Sequence, residues 1–389
     1  MQLRSYGRIP GATEAFSQSL LSWAHLETLR CEELTDDALV YLAALPCLKE
    51  LTFSVLHNTS FRRLRSRIAR KPFQRIEDIW FTVVDMDQAT QFVSEMGISP
   101  SSIRVWSRYN TCSSRAEDLF DAVAKHASPV LKSLIVSSTD ESELASHPPS
   151  SSFTVRANTL SISSFRPIFK CSHLTSLHVH VACALTLNDQ DLIELGRSLP
   201  FLKDLDLNTG VGSQTPSNVT FYGFFWLLTL CPHLYHIGIS FNAEDLSSVD
   251  PTSDVLPEKR PPMPPPHKTV LLFVGESRIQ HPQKVAEILD VVFPRLEFVE
   301  CWDSEPQIPF DAERSEVAAV HSRRWRVVES QIRRRRRDRK RFETRWAKVR
   351  KEMKKHFRED QDGDSGSQSD ESESENDEAL TDSSTSEEE

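Results

Sequence analysis

The stretch "CEELTDDALVYLAALPCLKELTF" at residues 31–53 contains one complete structural cycle, and its reading decides the fold. Cys31 closes a short alternating segment and Leu34 turns the chain. Thr35 or Asp36 then offers a side-chain oxygen to a helix N-terminus. Ala38, Leu39 and Leu42 follow at helical spacing. Pro46 stops the helix, and Leu48 opens the next alternating segment. Residues 185–207, "LTLNDQDLIELGRSLPFLKDLDL", pass through the same cycle. There Asn188 or Asp189 is the cap, and Leu192, Leu195 and Leu199 form the apolar helical face.

Outward from these two stretches an LxxLxL core recurs along the chain. It reads Leu26-Leu29-Cys31, Leu48-Leu51-Phe53, Ile76-Ile79-Phe81, Leu131-Leu134-Val136, Leu174-Leu177-Val179, Leu202-Leu205-Leu207, Leu234-Ile237-Ile239 and Leu296-Val299-Cys301. Partial copies stand at Ile103-Val105, Leu160-Ile162 and around Leu271-Phe273. The intervals are uneven, and one step of 17 residues is too short for a full unit. A strand that alternates inward and outward, with a helix returning behind it, cannot bury its apolar face alone, so such units must stack. Repeats of this length and core are the signature of leucine-rich repeats. The expected architecture is an α/β, irregular leucine-rich-repeat solenoid of about ten repeats over residues 1–310. Its curved parallel sheet lines the concave face and its helices the convex face. A Pro-rich insertion is expected at 250–267, a long basic amphipathic helix at 311–358 and a disordered acidic tail at 359–389.

The run "C..LTD.AL..LA.LP.L..L" from Cys31 to Leu51, with "LTLCPHL" at 228–234, resembles the cysteine-containing repeats of F-box proteins, and the loose spacing resembles fungal members. The resemblance spans about residues 20–302 as a pattern. It implies a substrate receptor of a cullin-RING ubiquitin ligase, with the target protein on the concave face. The 25 residues before the first repeat contain no Leu-Pro-x-Glu-like helix start, so a cullin adaptor is expected as a partner only where an F-box lies upstream. Two other layouts are similar: the acidic leucine-rich nuclear phosphoproteins, which chaperone histone-like partners, and the Ran-type GTPase activators. The repeats of both are more regular than these.

The concave face should carry the central residue of each LxL and the residue after it. These positions give Arg30, Glu32, Trp80, Thr82, Arg104, Trp106, Ser161, His178, His180, Asp206, Asn208, Glu300 and Trp302. Trp80 and Trp106 fall on neighbouring strands beside an arginine, the composition of an interaction hot spot. His178 and His180 share a face, as the first two ligands of a zinc site would, but no third ligand can be assigned from the sequence. They are read as an ordinary polar sheet face.

Charge is arranged in blocks. The net charge is −10, yet residues 323–358 hold 18 Lys/Arg against 4 Asp/Glu, and residues 359–389 hold 14 Asp/Glu and no Lys or Arg. The body alone therefore carries the −10 and is a poor nucleic-acid binder. In the basic block Trp325, Val328, Ile332, Phe342, Trp346, Val349 and Met353 keep one heptad register, with Arg335 and Arg339 in the same seam. Such a helix suits an acidic partner or nucleic acid. Arg333, Arg334, Arg335, Arg336, Arg337, Arg339, Lys340 and Arg341 fit a nuclear-import run, placing the chain in the nucleus, the cytoplasm or both. Ser367, Ser372, Ser374, Ser384 and Ser386 each have an acid three residues on, the pattern of an acidophilic kinase substrate. The seven cysteines show no CxxC spacing and point to no disulfide framework. The longest apolar stretch, 221–231, is about half a membrane span. No nucleotide-binding glycine loop, nucleophile elbow or HExxH occurs, so no enzyme activity and no cofactor or metal is assigned.

Overall fold

The computed structural model describes residues 12–55, 58–109, 113–127, 129–138, 159–181, 183–210, 216–249, 261–301 and 312–362. The first half contains α1 (Ala12–Leu20), β1 (Thr28–Glu33), α2 (Asp36–Ala44), β2 (Glu50–Ser54), α3 (Phe61–Arg67), β3 (Asp78–Val83), α4 (Met86–Met96), β4 (Ser102–Ser107), α5 (Ser113–Ala127) and β5 (Ser133–Ser138). It continues through β6 (Thr159–Leu160), α6 (Ile162–Phe165), β7 (Ser176–His180), β8 (Ala184–Leu185), α7 (Asp189–Ser198), β9 (Asp204–Leu207), α8 (Phe221–Leu230) and β10 (His236–Ile239). Last come β11 (Leu271–Gly275), α9 (Pro282–Val292), β12 (Phe298–Cys301) and α10 (Ala312–Asp362).

Ten of the strands form one sheet in the order β1-β2-β3-β4-β5-β7-β9-β10-β11-β12, all parallel. The order never reverses. Because crossovers between parallel strands are right-handed, a sheet that grows in one direction receives every return on the same face. The fold is therefore an α/β, solenoid-like stack whose described returns leave one sheet face free. Its core is a ladder of registered side chains: Leu29, Leu51, Ile79, Ile103, Leu134, Leu177, Leu205, Ile237, Leu272 and Val299. Each of them is at least 95% buried. A second ladder above it runs through Phe53, Phe81, Val105, Val136, Val179, Leu207 and Ile239.

The two cycles read from the sequence form as expected. Thr35 caps α2 by accepting from Ala38 N, and Ala38, Leu39 and Leu42 are buried. Asn188 caps α7 in a reciprocal box with Asp191, and Leu192, Leu195 and Leu199 are buried. The short 17-residue step is explained by β6, which pairs only with β8 in a separate two-stranded sheet. Ser161, read as a sheet-face residue, is instead the N-cap of α6.

Three details go beyond the sequence reading. In β11 the ladder position is Leu272, not Leu271. The Pro-rich segment is anchored at its end, where His267 is buried with Nδ1 2.7 Å from the Thr269 hydroxyl. The chain divides into two compact units at Arg335/Arg336, and Trp325, Val328 and Ile332 of α10 belong to the core of the first unit. Within the second unit Phe342, Trp346, Val349 and Met353 are exposed. Among the described residues no helix is long and apolar enough to cross a membrane.

Two core cysteines show how far this packing alters reactivity. Burial pushes the Cys171 thiol up to about 11 and the Cys231 thiol up to about 12. Cys231 Sγ also donates to Leu199 O at 3.4 Å. The thiolate is the nucleophile. Iodoacetamide at neutral pH is therefore expected to leave both residues unmodified in the native chain and to label both in denaturant. Peptide mass mapping checks this, and equal labelling in the two states would contradict the burial.

Candidate functional site: the free face of the sheet

Three registered rows of outward positions cross the free face. The middle row is Arg30, Thr52, Trp80, Arg104, Ile135, His178, Asp206, Gly238, Phe273 and Glu300. The row beside it is Thr28, Glu50, Asp78, Ser102, Ser133, Ser176, Asp204, His236, Leu271 and Phe298. The third includes Ser54, Thr82, Trp106, Ser137 and His180. These side chains define two patches of different chemistry.

The first patch is aromatic and cationic. Trp80 on β3 and Trp106 on β4 are 39% and 40% exposed, far more than a core tryptophan. The Arg104 guanidinium lies 6.0 Å from the Trp80 ring centre and 3.4 Å from Asp78, so the cation is held between ring and carboxylate. Arg30 is exposed 3.6 Å from Glu50, and Glu32 is exposed beside it. Exposed pairs of this kind add little stability. Their consequence is to orient the arginines along the face.

The second patch is a cluster of imidazoles and carboxylates. His178 Nε2 and His236 Nδ1 each stand 2.8 Å from Asp204 Oδ1. His178 Nε2, Asp204 Oδ1 and His236 Nε2 are buried polar atoms without a geometrically satisfied hydrogen bond. Asp206 Oδ2 lies 3.7 Å from His180 Nε2 and 3.9 Å from His236 Nε2. Burial acts to raise the Asp204 carboxyl, but the two imidazoles beside it prevail and hold it far below the usual carboxylate range. Burial acts to lower His236, and Asp204 with the charges of Asp206 and Glu300 raises it instead. For His180 burial prevails and lowers it, against the pull of Asp206.

Space for this cluster comes from Gly238. A Cβ there would lie 2.5 Å from the Asp206 Cγ, so only glycine lets that carboxylate lean across the neighbouring strand. Thr209 holds the carboxylate by donating from its backbone N at 3.3 Å and its hydroxyl at 2.6 Å.

Two expected face residues are more enclosed than the rest of the face. Asp206 is only 6% exposed and is engaged by Thr209. Asn208 is 2% exposed, with a backbone in the left-handed region at φ 59°. Its amide is used within the fold, since Oδ1 accepts from Val181 N at 2.7 Å and Nδ2 donates to Cys183 O at 2.9 Å. The sequence reading also missed Asp204 and His236. Both occupy the position just before the first leucine of LxL, which points outward by the same two-residue period.

In the basic run Arg333 pairs with Glu329 at 2.6 Å, Arg335 with Glu287 at 2.9 Å, and Arg341 with Asp338 at 3.8 Å. Trp302 and the serines at 367, 372, 374, 384 and 386 lie outside the described residues. No family model matches the chain, and no curated protein sequence matches it.

Proposed function

We propose that this chain is a non-catalytic protein-recognition scaffold of the leucine-rich-repeat type, holding a protein target on the free face of its sheet. The observation that carries the reading is the pair of partly exposed tryptophans on neighbouring strands, with Arg104 set against the Trp80 ring. Large rigid rings beside an arginine on a fixed sheet supply contact area at small entropic cost. The uneven repeats and the Cys31–Leu51 pattern support the reading of this scaffold as a target receptor of the F-box kind, in which a cullin-linked adaptor would be a further partner. Eight basic residues in the nine at 333–341 are assigned to nuclear import.

Quantitative affinity purification of the full chain tests the reading. Each of Trp80→Ala and Trp106→Ala is expected to weaken capture of its protein targets by roughly 30-fold, about 2 kcal/mol. Changing the exposed helix residues Arg62 and Arg63 to serine should leave capture unchanged. Targets retained by the double tryptophan variant would refute the assignment. Recovery of a cullin adaptor alongside them would support the ligase receptor, and recovery of histones without it would favour a chaperone.

A further inference from the structure

Independently of the partner-binding reading, we propose that the outer face of β7, β9 and β10 is a binding site for a divalent transition-metal ion of the zinc class. Its ligands are His178 Nε2, Asp204 Oδ1 and His236 Nδ1. Two imidazoles and a carboxylate make a donor set that zinc accepts and that hard cations such as Mg²⁺ or Ca²⁺ do not favour.

The three ligand groups already converge on one point of the face. The three ligand groups offer atoms that all lie within 4.8 Å of one another. Each nitrogen is 2.8 Å from the shared oxygen. Around a tetrahedral ion with bonds of about 2.0–2.1 Å, ligand atoms stand about 3.3 Å apart. Insertion therefore requires each nitrogen–oxygen pair to open by about half an ångström, while the two nitrogens, within 4.8 Å of each other, settle at the same spacing. Asp204 Oδ1 and His178 Nε2 are buried without a geometrically satisfied hydrogen bond, which is costly for polar atoms. A bound cation would satisfy both together.

The surroundings match as well. His236 directs Nε2, the nitrogen turned away from the proposed ion, toward Asp206 Oδ2 at 3.9 Å. Asp206 becomes the outer-shell carboxylate of a ligating imidazole once that gap closes to hydrogen-bond length. Asp206 is itself fixed by Thr209 over Gly238. Three strands thus supply ligands in register, with Asp204 directly opposite His236 and His178 opposite Asp206. The three ligand residues each keep partial exposure on the free face, leaving a fourth position for water or another incoming ligand.

The test is Zn²⁺ titration of the full chain after chelator dialysis, against a chromophoric chelator and with a large excess of Mg²⁺ to saturate the acidic tail. Wild type is expected to bind one equivalent tightly. Asp206→Asn should weaken binding by roughly 10–100-fold, the effect of losing an outer-shell partner. Asp204→Asn and His236→Gln should each weaken it by more than that. A His173→Gln/His233→Gln control, exposed and outside the cluster, should bind as wild type. Circular dichroism in EDTA checks that each variant is folded. His178→Cys replaces one zinc ligand by another, so with Co²⁺ it should show a thiolate-to-cobalt charge-transfer band that wild type lacks. In a variant shown to be folded, and against a wild type without the band, that signal reports a cobalt–sulfur bond at position 178. Failure of wild type to bind Zn²⁺, binding that survives Asp204→Asn and His236→Gln, or a folded His178→Cys without the band would each overturn the proposal.

Discussion

Trp325→Ala is expected to destabilise the Met1–Arg335 unit by about 3–5 kcal/mol, the range for truncating a fully buried tryptophan. Trp325 is 1% exposed and stands first among the largest fully buried side chains. Its Nε1 donates to Ser277 O at 2.7 Å, and its ring meets Phe241 edge-on at 5.8 Å. Val328 and Ile332, one and two turns on, are buried beside the same core. Nearby, Ile279 N donates to His321 Nδ1 at 3.0 Å, and Arg324 donates to Ile279 O at 2.7 Å. These contacts make residues 321–332 the terminal cap that a stacked-unit protein needs at its open end. Alanine would leave both a cavity and an orphaned carbonyl. Urea unfolding followed by circular dichroism should show a lower midpoint, while Trp346→Ala, on an exposed position, should change stability by no more than about 0.5 kcal/mol. Equal midpoints for Trp325→Ala and wild type would remove the cap from the description.

Phe92→Ala is expected to cost a similar amount, about 3–5 kcal/mol, at the other end of the stack. Phe92 of α4 stands between the rings of Phe53, Phe61, Phe73 and Phe81, with centroids 4.8 to 6.1 Å away. Three of these contacts are edge-on, a favoured arrangement for aromatic pairs. Because stability in a linear stack is close to a sum of neighbour terms, the damage should be local. Hydrogen exchange should show amides of β1–β4 losing protection while those of β9–β12 keep most of theirs. Trp325→Ala should give the mirror image. Uniform loss along all ten strands in both variants would mean that the unit melts as one block.

Much of this fold was legible because inward leucines obey a period of two and helix caps are chemically specific. Thr35 and Asn188 needed only a side-chain oxygen at the right offset from an apolar helical face. Where the alternation lapses, the reading lapses too. Val270–Val274 is apolar at every position, so the sequence could not choose between Leu271 and Leu272 as the ladder residue. The heptad stripe in α10 marked an apolar seam but not its partner. A helix carrying many arginines reads as a separate element until Trp325 is seen against Phe241. Of the candidate site, the tryptophans and His178 followed from the strand period. Asp204 and His236 followed from the same rule applied one position earlier. Asn208 could not have been placed, because its burial depends on backbone more than 20 residues away.

The unbroken strand order has a consequence for how such a chain can diversify. Successive rungs need only agree in register, so the length of each return path behind them is free to drift, as the uneven intervals show. Insertions on the covered side leave the side chains across the open side in their columns. A lineage of such chains can therefore rewrite what it grips one column at a time while its spine stays the same.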